Sequence, residues 1–255
     1  MSKSDSIELP SGEEVPILYE DRSVLAIDKP RKWMLVPSDW KKSSRNLQAV
    51  LISSIAAHDF WARSRNIKYL RYVHRLDAET TGVLLMAKSP GAVTTYGGLF
   101  EDRRVEKRYL AVVRGRPAQR EWTCELRLAR DPAEVGRVKV EPAQGKEAQT
   151  RFRVLQTIEN NTLLEARPLT GRTHQIRVHL AAAWHPVVGD ELYGPSPGRK
   201  HLPLALRAVF LAYQDPFTRR RVEIRAPTDQ FLACYGFSGV GEPKPDERPA
   251  PTSAQ

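Results

Sequence analysis

The sequence predicts an α+β fold built on a mixed, largely antiparallel sheet, and three observations carry that prediction. Short apolar runs of strand length, bounded by turn residues, outnumber helical stripes. Paired runs flank tight turn signals near residues 20–22, 160–161 and 215–218, which is the pattern of hairpins. Neither a strict strand–helix alternation, the mark of a doubly wound sheet, nor an internal repeat runs through the 255 residues.

The elements follow in order. Residues 1–14 are polar and read as a flexible N-terminal tail. Ile17-Leu18-Tyr19 and Val24-Leu25-Ala26-Ile27 flank a turn at Glu20-Asp21-Arg22, a hairpin that Lys29-Pro30 ends. Leu47, Val50, Leu51, Ile55 and Phe60 approximate one helical stripe over Leu47 to Ala62. Gly82 to Ala87 is short, apolar and opened by glycine, the signature of a fully buried strand. Pro90 to Phe100 reads as a helix weakened by Gly91, Gly97 and Gly98. Gln149 to Glu165 alternates about a turn at Asn160-Asn161. A helix is expected from about Thr173 to Ala183, with Ile176, Leu180 and Ala183 on one face and His174, Arg177 and Val178 on the neighbouring one. Phe210 to Tyr213 and Val222 to Ile224 make the last hairpin, and the Pro-rich, charged stretch 239–255 reads as a disordered tail. One folded domain is therefore expected over residues 15–238.

Composition narrows the function classes. Forty Lys and Arg against thirty Asp and Glu give a net charge of +10 and a pI near 9.7, which favours a polyanionic partner. The two cysteines, Cys124 and Cys234, are far apart and form no CxxC pair, so a zinc site or disulfide framework is not expected. No leader-like or membrane-length apolar stretch occurs, and a cytoplasmic location is expected.

Two runs carry the chemistry. In Arg71 to Lys88 (RYVHRLDAETTGVLLMAK), Asp77 lies at the mouth of the buried strand, behind His74-Arg75-Leu76. A carboxylate so placed serves as nucleophile, base, metal ligand or half of an ion pair, and taken alone the ion pair is the commonest. The second run is Leu169 to His179 (LTGRTHQIRVH), followed by Val188-Gly189-Asp190-Glu191-Leu192-Tyr193-Gly194. His174, His179 and His185 are spaced five and six apart, whereas two ligands on one helix face need three or four, which argues against a metal site.

Together these runs resemble the RluA family of pseudouridine synthases. His74 to Gly82 matches its HRLD-x-x-T-[ST]-G motif, Thr170 to His179 its TGR-[ST]-HQ-[IL]-R-VH motif, and Lys107 to Gly115 the strand that carries its active-site tyrosine. The resemblance covers roughly residues 16 to 232. It implies a long bent sheet with flanking helices and a central catalytic cleft, and it implies isomerisation of uridine in rRNA or tRNA without cofactor or metal. Asp77 would be the catalytic carboxylate, Arg177 the cation that keeps it ionised, with Arg172 the runner-up, and Tyr109 the aromatic packed on the flipped uracil. Arg75 would fill the gap that base leaves, and Lys107, Arg108, Arg172 and His174 would contact RNA. His74 and His179 are expected to be structural hydrogen-bonders, since the reaction needs no imidazole. A monomer lacking the small N-terminal RNA-binding domain of many relatives is expected.

The chain also departs from that pattern. Lys29-Pro30-Arg31-Lys32-Trp33 and Val36-Pro37-Ser38 stand where relatives commonly read Lys-Pro-x-Gly and Val-His-Pro, and Leu206-Arg207-Ala208 where they often have Leu-His-Ala. Two rival readings are a non-catalytic RNA-binding protein on the same fold and a hydrolase that pairs Asp77 with a histidine. Asp77 facing Arg177 across a basic cleft favours isomerisation; Asp77 facing a histidine beside a second polar nucleophile favours hydrolysis. Arg219-Arg220-Arg221, at the last hairpin turn, reads equally as a phosphate contact or a solvated charge run.

Overall fold

The computed structural model describes residues 3–35, 45–195 and 202–238. The expected C-terminal tail, 239–255, and Val36-Pro37-Ser38 lie outside them. The chain opens with β1 (Ser6–Glu8) and β2 (Glu14–Glu20), so the expected tail is instead an edge strand. Ile7 and Leu9 are buried at alternate positions; two apolar residues among polar ones are too few to register as a strand until β2 supplies the ladder. The first hairpin closes with β3 (Val24–Lys29), as expected.

The helical stripe breaks in two. α1 (Leu47–Ala56) starts at an Asn46 cap that accepts from the Ala49 amide, and His58 then turns left-handed (φ 58°) before α2 (Phe60–Arg63). Trp61 is buried there and Phe60 is exposed, the reverse of the stripe. β4 (Arg71–Tyr72) leads into β5 (Thr81–Ala87), followed by α3 (Pro90–Glu101), which a Ser89 cap and Pro90 at the first turn start despite three glycines.

The second half of the chain begins with β6 (Glu106–Arg114) and β7 (Glu121–Cys124). A small hairpin follows, β8 (Leu128–Arg130) with β9 (Val138–Val140), and then the long pair β10 (Thr150–Ile158) and β11 (Asn161–Pro168). α4 (Gln175–Ala182), β12 (Leu206–Gln214), β13 (Arg221–Arg225) and α5 (Asp229–Cys234) complete it.

Among the described residues one sheet runs β1-β2-β3-β5-β12-β6-β11-β10-β7, with β4 also on β5 and β13 on β12. Every pairing is antiparallel except β5 with β12, where Arg207 meets Thr81 and Ala208 meets Gly82. That parallel seam joins the two halves of the chain. It requires glycine: Gly82 has φ 109°, and a Cβ there would lie 2.0 Å from the Ala208 carbonyl oxygen.

β5 is apolar throughout because both of its faces are covered. Leu84 and Met86 join a core with Leu47, Leu51 and Trp61, while Val83, Leu85 and Ala87 join another with Ala92, Tyr96 and Leu99. A third core packs Ile176 and Leu180 of α4 onto β6, β11 and β12.

Candidate active site

A cleft of about 530 Å³ opens where the seam, β6 and the start of α4 converge. Asp77, Tyr109, Arg177, Arg75, Lys107, Arg172 and His174 all line it, so seven of the eight residues expected from the sequence come together. The eighth, Arg108, does not. Strand alternation turns Lys107 and Tyr109 toward the cleft and Arg108 away from it. Arg108 is buried, paired with Glu106, its guanidinium 4.6 Å from the Phe210 ring centroid. It is a packing residue of the far face, not an RNA contact.

Asp77 heads a turn in which the Thr80 amide donates to the Asp77 carbonyl (3.1 Å). Lys29, at the end of β3, pins this turn from below. Its Nζ is fully buried and donates to the carbonyls of Pro30 (2.9 Å), Ala78 (2.9 Å) and Thr80 (3.0 Å). Three acceptors match the three donors of an ammonium. Burial pushes the Lys29 pKa down to about 7, while the Asp77 charge pulls the other way. Sequence reasoning read Lys29 only as the end of a hairpin.

Arg177 faces Asp77, its Nη1 3.3 Å from Oδ2. Its orientation is set elsewhere: Nε and Nη2 donate to the two oxygens of Asp190 at 2.8 and 2.7 Å, a bidentate fork. Asp190 also accepts from the amides of Leu192 (3.0 Å) and Tyr193 (3.1 Å). Burial opposes ionisation of Asp190, but the Arg177 bonds and charge outweigh it and hold the carboxyl below its usual range. Burial likewise opposes the Arg177 charge, and Asp190, then Asp77, outweigh it. The sequence pattern gives no sign of this role for Asp190; Arg172, the alternative cation, donates through Nε to the Glu147 carbonyl (2.9 Å) instead.

His174 enters α4 in the left-handed conformation (φ 53°), so the helix begins at Gln175, two residues later than expected. Its Nδ1 is 2.8 Å from the Tyr193 hydroxyl, and its Nε2 is 3.8 Å from Asp77 Oδ1. The Val138 amide donates to the same hydroxyl (2.9 Å). Burial lowers the His174 pKa, so the ring stays neutral at neutral pH.

Tyr109 lies on β6 opposite Ala208 of the seam. Burial, reinforced by Asp77, pushes its phenol far above the ordinary range and keeps it protonated. Lys107 is pushed down to about 8 by burial, with Arg103 adding to the effect.

His74, His179 and His185 have structural partners. His74 stacks on Phe100 (4.6 Å, 14°), accepts from the Leu85 amide (3.0 Å), and is pushed by burial to a pKa of about 3. His179 bonds Thr150 and the Leu126 carbonyl, and His185 the Arg114 carbonyl. Asp77 thus faces the Arg177 guanidinium at 3.3 Å and, farther off, the His174 imidazole at 3.8 Å.

Comparison with known proteins agrees with this geometry. The RNA pseudouridylate synthase family model matches residues 23–182. The chain belongs to this family. An uncharacterized RNA pseudouridine synthase of Bacillus subtilis is 33% identical over 221 residues, covering 86% of this chain and 71% of the relative. The ribosomal large subunit pseudouridine synthase C of Vibrio parahaemolyticus is 34% identical over 226 residues, covering 85% of this chain and 66% of that protein. The solved structure of human RNA pseudouridylate synthase domain containing 1 superposes with a TM-score of 0.68 at 28% identity, covering 86% of this chain and 87% of that one. Its counterpart, domain containing 4, shares the fold at a TM-score of 0.69 and 22% identity, over 86% of this chain and 90% of its own. Membership of this family makes the chain an RNA-directed isomerase by class, and among the described residues no helix is long and apolar enough to cross a membrane.

Proposed function

We propose that this protein converts uridine to pseudouridine in a folded RNA, with Asp77 as the only catalytic carboxylate and no cofactor. The observation that carries the reading is the Asp77–Arg177–Asp190 array beside Tyr109 in one basic cleft. The reaction breaks the bond from uracil nitrogen to ribose, turns the base and rejoins it through carbon, so it needs no net redox change. Asp77, its side chain 21% exposed, either adds covalently or takes a proton from the sugar, and in both cases must be ionised. Arg177 faces it through a charge-assisted hydrogen bond.

The target base leaves its stack to enter the cleft, where Tyr109 offers an aromatic face that tolerates rotation in the ring plane. Arg75 occupies the vacated gap, and Lys107, Arg172 and His174 hold the flanking backbone. The relative named for the ribosomal large subunit supports rRNA as the substrate class over tRNA. The folded unit over residues 15–238, joined by β1, acts as a monomer in the cytoplasm.

Asp77→Asn tests the reading. Pseudouridine formation on total RNA from a strain lacking the protein should fall to background, with RNA affinity and melting temperature near wild type. Turnover at the wild-type rate would end the mechanism.

A further inference from the structure

Trp184 is the most exposed tryptophan side chain among the described residues, at 89%. It also adopts φ 65°, in the left-handed region that favours glycine. A large aromatic ring gains most by burial, yet the Trp184 ring is left in solvent. The helix end is already capped without the ring: the amides of Ala183, Trp184 and His185 donate to the carbonyls of His179, Ala181 and Leu180.

The surroundings are basic. An isolated bridge pairs Val187 with Val113, and the Arg114 amide donates to the Pro186 carbonyl (3.1 Å). Extending that register by one pair sets Gly115 opposite His185, with Arg116 next along the chain. A Cβ on Gly115 would indeed lie 3.2 Å from His185 Nδ1. Arg114 and Arg116 are both exposed. Arg116 is braced by two hydrogen bonds to the Glu159 carbonyl (3.0 and 2.8 Å). No hydrogen bond or ion pair among the described residues engages the Arg114 guanidinium, which is left for solvent or a ligand.

We propose that Trp184, with Arg114 and Arg116, is a second RNA contact outside the catalytic cleft, where an unpaired base stacks on the indole and the adjoining phosphates meet the two guanidiniums. Stacking is sequence-tolerant and suits an exposed ring, and the arginines supply the charge complementarity that a protein partner of neutral surface would not need. Trp184 lies two residues past the end of α4, the helix that carries Arg177. This inference rests on RNA being the substrate but not on the roles of Asp77 or Tyr109.

The test is Trp184→Gly, which removes the ring and accommodates φ 65° without strain, so its melting temperature should equal or exceed wild type. With a labelled single-stranded uridine dodecamer, Kd should weaken roughly tenfold or more, the scale of one lost stacked base, and Trp184→Phe should recover most of it. The same loss should appear in KM for a modified stem–loop RNA. Arg114→Gln should make the salt dependence of Kd shallower by about 0.7 in the log–log slope. Unchanged Kd and KM in Trp184→Gly, while wild type still isomerises RNA, would overturn the platform alone. Loss of self-association or of a protein partner in place of RNA affinity would overturn it in favour of a protein surface. A wild-type protein that binds no RNA would overturn both this inference and the proposed function.

Discussion

Asp190→Asn separates the residue that performs the reaction from the residue that holds it in place. In the wild type, Asp190 has a fully buried side chain and accepts four hydrogen bonds, two from Arg177 and two from backbone amides. Asparagine keeps the volume and one oxygen for the amides of Leu192 and Tyr193, but it sets an amide donor against a guanidinium donor and removes the compensating charge. Breaking a buried pair from one side costs about 3–5 kcal/mol. For a domain of this size that is a fall of roughly 6–20 °C in melting temperature. Arg177 would keep its Nη2 bond to that oxygen and its 3.3 Å contact with Asp77 but lose the Nε bond and the charge that fix its angle, and a misplacement near 1 Å would lower kcat about 10²-fold. The pH dependence carries a further signature. Because the folded pKa of Asp190 lies below its ordinary 3.8, its stabilisation is fully present above that value and lost as pH falls through the folded value. Wild type and variant should therefore differ most near neutrality and converge in acid. Thermal unfolding from pH 2 to 7 and single-turnover pseudouridine formation measure both effects. A variant with wild-type melting temperature and kcat would refute the claim that Asp190 orients Arg177.

The remaining expectations concern the rest of the cleft and its rim. Arg177→Met should lower activity by orders of magnitude in a single-turnover assay, since the cation beside Asp77 is gone; wild-type turnover would transfer the role to Arg172. It should also destabilise the fold by about 3–5 kcal/mol, because Asp190 is left buried and unpaired, as urea unfolding would register. Lys29→Met should loosen the turn at Asp77 and lower kcat. With a folded pKa near 7 and an ordinary value of 10.5, wild-type stability should rise with pH across that interval as the unfolded chain binds the extra proton, whereas the variant's stability should lack this rise. Replacing Arg219 and Arg220 with Gln should make the salt dependence of RNA binding shallower by about 1.4, at 0.7 per phosphate contact, without changing the modified uridine. Arg221 is left out because it is held by Glu106 and Glu223, and an unchanged slope would return the turn to solvated charge.

Local pattern was enough for much of this molecule. The buried strand β5, the turns of the three expected hairpins, and the helix at α3 follow from short-range periodicity and punctuation, which act over a few residues. The run around Asp77, the Tyr109 strand and the run around Arg177 were legible because each is contiguous. What the sequence left open was everything decided by contact between distant segments. β1 is a strand only because β2 pairs with it, and the break at His58 reverses which of Phe60 and Trp61 is buried. Lys107 and Arg108 are adjacent in the chain, yet the pleat turns one into the cleft and the other against Phe210. Lys29 and Asp190 act within their own halves of the chain, on the carbonyls of Ala78 and Thr80 and on Arg177, and the parallel seam of β5 and β12 then sets Asp77 against Arg177. Composition and spacing determine which chemistry this chain carries; the tertiary structure decides which buried charges hold that chemistry in position, because desolvation and pairing energies depend on neighbours that sequence order does not specify.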